Sequence, residues 1–182
     1  MQEWDDREII EGSKIQGKEE IAFNQLVFKY QERLYWHVRK IVIDHDDADD
    51  VLQNSMIKIW RSLSSFRSES GLYTWLYRIA TNEALSFLKQ KKKKAFAPWI
   101  DLEGQMSESL EADPWFNGDE IQLKLQQAIL KLPEKQRIVF NMKYFDQVKY
   151  EEMSEILGTS VGALKASYHH AVKKIESILR KD

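Results

Sequence analysis

The residues nearest to chemistry in this chain fall into three groups, and two of them lack the geometry their chemistry needs. Asp44, Asp46, Asp47, Asp49 and Asp50 crowd one short stretch. A calcium loop between two helices needs glycine at its sixth position and glutamate at its twelfth, where this stretch has Asp49 and Ser55. These acids instead suit a helix start, where carboxylates meet the positive end of the helix dipole. His169 and His170 suggest a metal, yet adjacent side chains diverge on a helix. No carboxylate stands three or four residues from either imidazole, so no metal is expected. The chain has no cysteine, no HExxH pair, no phosphate-binding glycine loop and no serine elbow. No catalytic residue, no cofactor and no enzymatic activity are expected.

The third group is different. Gly162, Lys165, Ala166, His169 and Lys173 point one way at 100° per residue, with His170 at the edge. The opposite stripe is Val161, Leu164, Tyr168, Ala171 and Ile175. Such a face is slim, basic and able to enter a DNA major groove. Lysines there reach phosphates or guanine acceptors, and imidazoles donate or accept at base edges.

The surrounding elements favour that use over a merely solvated helix. Tyr150 to Leu157 reads as a short helix stopped by Gly158, and Ser160 can cap the next. A helix, a short turn containing glycine and a second helix make a helix-turn-helix. Upstream, Leu132-Pro133-Glu134 starts another helix with the stripe Ile138, Val139, Met142 and Phe145. The first half reads as a bundle. Phe23, Leu26, Val27, Tyr30, Leu34, Val38 and Ile41 recur at spacings of three and four. Val51, Leu52, Met56, Ile59, Trp60 and Leu63 mark a second helix, and Leu72, Leu76, Ile79, Ala80 and Phe87 a third that ends in lysines. A short leading helix is expected between Asp5 and Lys14, and no strand anywhere.

Composition agrees with this plan. The chain has 182 residues, seven of them glycine and three proline, which favours long helices over many turns. Its charges are unevenly placed: residues 95–120 hold seven acids and no Lys or Arg. The hydrophobic period also lapses there, around Pro98, Gly104, Pro114 and Gly118. The expectation is all-α: a helical domain over 1–94, a flexible acidic linker over 95–120, and a helix-turn-helix domain over 121–182. No apolar run reaches the roughly 18 residues of a membrane span. The acidic start has no signal-peptide core, and the mean hydropathy is -0.54, so a cytoplasmic protein without membrane insertion is expected.

Five stretches, in order, give the chain a resemblance. They are Asp46 to Asn54; Phe66-Arg67-Ser68-Glu69-Ser70 with Thr74 to Asn82; Leu132 to Arg137; Tyr150 to Gly158; and Ser160 to Lys165. Together they resemble the extracytoplasmic-function sigma factors of bacterial RNA polymerase. The resemblance implies that Asp49, Asp50, Gln53, Asn54, Met56 and Trp60 dock on the core polymerase. It implies that Phe66, Arg67, Thr74, Trp75, Arg78, Asn82 and Lys89 face a melted minus-ten promoter element, with Trp75 and the Phe66 loop beside unpaired bases. Thr74, Arg78, Asn82 and Lys89 share one outward face at helical spacing. For the minus-thirty-five element it implies Ser160, Gly162, Lys165, Ala166, His169, His170 and Lys173. Family members often carry arginines beyond the Lys165 position, where this chain has Ser167, His170 and Val172. The implied partners are core RNA polymerase, promoter DNA and an anti-sigma factor. Two other readings remain open on the residues alone: a stand-alone helix-turn-helix regulator with a sensor bundle, and a helical adaptor for a partner protein.

Overall fold

Asp44 shows how this sequence starts a helix. Its carboxylate accepts from the Asp47 amide, and Asp46 and Asp47 occupy the positive first turn. That helix, α3 (His45–Ser62), belongs to a bundle with α1 (Asp6–Gly12), α2 (Glu19–Val42) and α4 (Leu72–Lys94). A 3-10 turn over Leu63–Ser65 and a loop join α3 to α4. Further along the chain are α5 (Glu120–Leu130), α6 (Glu134–Tyr144), α7 (Tyr150–Leu157) and α8 (Val161–Leu179). This computed structural model describes residues 3–94, 104, 106, 108 and 120–180, and among these there is no strand. Among the described residues no helix is long and apolar enough to cross a membrane.

The periodic stripes become the core. Leu26, Leu34 and Val38 of α2 meet Val51 and Ile59 of α3 and Leu76, Ala80, Ala84 and Leu88 of α4, all essentially without solvent contact. Burying a side chain of this size contributes about 1.5–3 kcal/mol. α1 is held to α2 by Asp6, which accepts from the Tyr30 hydroxyl at 2.7 Å and from Lys29 Nζ at 2.8 Å. In the second half, Ala128 and Ile129 of α5, Phe140 of α6, and Ala171 and Ile175 of α8 form a smaller cluster.

The two halves are not separate. Val148 in the loop before α7, Met153 and Ile156 of α7 and Leu164 of α8 join the same apolar cluster as α2, α3 and α4. α7 lies along α4. Asn141 of α6 donates to the Lys40 carbonyl at the end of α2. Of the span read as a flexible linker, Gly104, Met106 and Glu108 are helical, and Met106 is buried against Ile43 and Leu130. A lone methionine without a repeating stripe gave no periodic signal. The other residues from 95 to 119, including the turns expected near Trp99 and Trp115, lie outside the described residues.

Candidate nucleic-acid interface and docking face

The helix-turn-helix is built as its residue types require. Gly158 closes α7 with φ +62°, the left-handed conformation that glycine adopts without steric cost. Ser160 then caps α8, accepting from the Ala163 amide at 3.3 Å. Leu164, Ala171 and Ile175 hold α8 down, with Tyr168 partly buried and stacked on Phe140 at 5.8 Å. Val161, expected in the buried stripe, is only partly covered, because it lies at the first turn beyond the main contacts. The opposite side is free. Ser160, Gly162, Lys165, Ala166, His169, His170 and Lys173 are all exposed. Lys165 Nζ lies 5.7 Å from the Tyr150 ring, which guides it along the start of the helix. Among the described residues no cluster of His, Cys, Asp and Glu is suited to a metal.

The α4 surface is narrower than its helical wheel suggests. Asn82 and Lys89 are exposed and Arg78 is partly so. Thr74, however, is buried at 4% exposure, and Phe66 at 6%. Thr74 offers no free face to DNA, and Phe66 shows only the part that lines the cleft beside Trp75. The reason is that α4 packs against α2, α3 and α7 at once, so only a thin arc of its circumference meets solvent. Phe66 turns inward and its ring sits 4.9 Å from that of Trp75. Trp75 stays half-buried, with one side on Phe66. This pair lines a shallow cleft together with Ser62, Ser65, Arg67, Glu69, Ser70 and Arg78. Arg78 Nε is buried there without an acceptor, a donor whose desolvation is uncompensated. Of the basic helix end, Lys91 pairs with Asp47 and Lys92 with Glu134, while Lys89 is unpaired in solvent.

On α3, Asp49, Asp50, Gln53, Asn54 and Trp60 are exposed and Met56 is partly so. They form one polar strip with an aromatic end, Trp60 standing edge-on to Phe23 of α2 at 5.0 Å. Ile57 was missed by the sequence reading. It is 43% exposed and follows Gln53 by four residues and precedes Trp60 by three, so the signal was available in the spacing. Also missed were His37, Lys40 and Asp146, which meet across the seam between the halves. Nζ of Lys40 donates to Asp146, Nδ1 of His37 is 3.1 Å from the same carboxylate, and Nε2 is 2.8 Å from the Thr81 hydroxyl. Burial holds His37 below the ordinary imidazole value, against the pull of Asp146. Burial alone would raise Asp146, but the hydrogen bond from His37 and the Lys40 charge outweigh it and hold the carboxyl low. A neutral His37 and an ionised Asp146, with the countercharge on Lys40, satisfy both directions. No local pattern signals this trio, because Asp146 lies more than 100 residues from His37 and Lys40.

Comparison with known proteins matches this arrangement. The sigma-70 region 2 family model covers residues 26–94, and the sigma-70 region 4 model covers 122–175. The RNA polymerase sigma-H factor of Pseudomonas aeruginosa is 30% identical over 96% of this chain and 94% of its own length. The ECF RNA polymerase sigma-E factor of Escherichia coli is 30% identical over 90% of both chains. CnrH, solved in complex with the cytosolic domain of CnrY, has the same fold at a TM-score of 0.70 and 21% identity, over 97% of this chain and 98% of that one. The sigma factor RpoE of Bartonella quintana, solved with the anti-sigma factor NepR, aligns at 0.66 and 23% identity, over 88% and 98%. This chain belongs to the extracytoplasmic-function sigma factors of the sigma-70 family, which direct RNA polymerase to specific promoters.

Proposed function

We propose that the labour of this sigma factor is divided by helix. Residues 1–94 dock on the core polymerase and read the minus-ten element, 95–120 link, and 121–182 read the minus-thirty-five element. On α3, Asp49, Asp50, Gln53, Asn54, Met56 and Trp60, joined by Ile57, form the docking strip. On α4 and its preceding loop, Arg67, Trp75, Arg78, Asn82 and Lys89 face the melted minus-ten strand. Phe66 and Thr74 support this surface from beneath. The Trp75 cleft accepts an unpaired base, and stacking there contributes about 1–3 kcal/mol. Lys165, His169 and Lys173 reach base edges and phosphates of the minus-thirty-five duplex across the small residues Gly162 and Ala166. The protein performs no catalysis itself; the polymerase does. An anti-sigma protein is a further partner, and the cytoplasm is the place of action.

The observation that carries this reading is the wholly exposed basic strip on α8, set by a left-handed glycine turn and a serine cap. Stand-alone regulators and adaptors are not favoured, because both sigma regions match in order on one chain. Run-off transcription on a promoter library tests it. Core polymerase with this chain is expected to initiate on a sequence-defined subset, and the chain alone to bind duplexes weakly. Tight sequence-specific binding by the free chain, without polymerase-dependent initiation, would sink the reading.

A further inference from the structure

Ile21 and Phe28 belong neither to the docking strip on α3 nor to the reading surfaces on α4 and α8. They stand seven residues apart on the solvent side of α2, at 50% and 81% exposure. Phe28 is the most exposed large apolar side chain among the described residues. The opposite side of the helix, with Ala22, Leu26, Tyr30, Leu34 and Val38, is buried in the core, so α2 cannot turn to hide the pair. Scattered surface apolar residues are ordinary, but a phenylalanine standing beside a matching recess is not.

That recess has a definite form. A cleft of about 450 Å³ is lined by Glu3, Ile21, Asn24, Gln25 and Phe28. The last four follow the spacing i, i+3, i+4, i+7, the corners of a hole that takes one knob from a facing helix. The knob is on the same surface, because Phe28 rises from the rim of the hole. A surface that carries both a knob and its hole is complementary to itself, the condition for a two-fold contact between identical chains. Charge fits the same geometry. Lys18 at the cap of α2, Gln25 and Glu32 are spaced by seven and share one flank. Lys18 and Glu32 are exposed, and neither joins an ion pair with another described residue. A two-fold axis near Gln25 runs two such helices antiparallel and sets Lys18 of each copy opposite Glu32 of the other. A foreign helix would fill the hole, but would not account for a knob and a reciprocal charge pair placed about one centre.

We propose that the outer face of α2 pairs with a second copy of this chain: Phe28 of each copy seats in the Ile21–Asn24–Gln25–Phe28 hole of the other, antiparallel, between two Lys18–Glu32 ion pairs. About four turns of one helix per copy make a contact below the roughly 1,200 Å² of stable interfaces, so the dimer forms only at high concentration. Sedimentation equilibrium of the full chain reads it. The mass is expected to be 21.6 kDa near about 1 µM and to rise at least halfway to twice that by about 500 µM. Phe28→Asp, at a side chain that already lies in solvent, is expected to hold the monomer mass throughout. Lys18→Glu and Glu32→Lys each set like charges at both pairs and are expected to weaken association at least about fivefold. An equimolar mixture of those two variants restores opposite charges at both pairs and is expected to regain the wild-type association. That rescue needs Lys18 of one copy against Glu32 of another, so it identifies the occupant and fixes the register. A mixture no more associated than its components overturns the pairing, and so does a wild-type chain still monomeric at about 500 µM. Polymerase binding at nanomolar concentration, where the chain is monomeric, is expected to be unchanged by Phe28→Asp. Its loss would give this face to the polymerase and overturn the proposal.

Discussion

Lys165 and Lys173 stand on one exposed face, two turns apart, and their positions assign them different work. Lys165 follows the Ser160 cap by five residues, on the stretch where a recognition helix comes closest to base edges. Lys165→Ala is expected to cost about 1–3 kcal/mol and to relax discrimination at one minus-thirty-five position. Lys173 lies where the helix passes the backbone. Lys173→Ala is expected to weaken all sequences alike and to lower the salt slope by about one counterion. Polymerase-dependent binding to mutated promoters across a salt series separates the two outcomes. Equal effects of both lysines on every promoter would show that α8 does not lie in the groove as assigned. This face was legible in the sequence because an amphipathic helix displays its period. Thr74 was misread for the complementary reason: a wheel assigns an outward side, but it cannot count how many neighbours close on that side. α4 has three.

At the scale of an element, the turn between α7 and α8 sets the angle at which the basic face is presented. Gly158 holds φ +62°, and a Cβ built there meets nothing within 4 Å. The requirement for glycine is therefore conformational and not steric. Gly158→Ala is expected to cost about 1–2 kcal/mol, the penalty of a left-handed L-residue, while Gly158→Asn is expected to cost less because its side chain tolerates that region. Urea midpoints of the two variants check the order; an alanine variant as stable as the asparagine one would show that φ is not the constraint. The start of α6, the end of α7 and the start of α8 followed from Pro133, Gly158 and Ser160 acting as punctuation. Helix bounds elsewhere followed from stripes and acidic first turns. The seam followed from neither, because Asp146 lies in a loop more than 100 residues from His37 and Lys40, which share α2. Met106 escaped for the same reason, as one apolar residue in an acidic stretch.

For the whole molecule, the seam makes stability depend on pH in one direction. The charged groups that face His37 are Asp146 and Lys40, with the neutral phenol of Tyr77 against its ring, ring centres 4.4 Å apart. Burial keeps Tyr77 itself protonated throughout the working range. The folded chain holds the His37 imidazole below its ordinary value, so on acidification the unfolded chain takes up a proton first. His37 thus contributes fully above about pH 6.5 and loses its contribution as pH falls below that value. Asp146 is likewise held low, so its share is present above about pH 3.9 and is lost as pH falls further. Both losses lie on the acid side, and they come in sequence. Between about pH 7 and pH 5 stability is expected to fall with pH, with a slope from His37 of at most one proton. His37→Gln should keep a hydrogen bond to Asp146 or Thr81 while removing the titration, and so flatten the urea midpoint over that window. A His37→Gln chain that keeps the full acid slope would leave the junction without a proton-linked role.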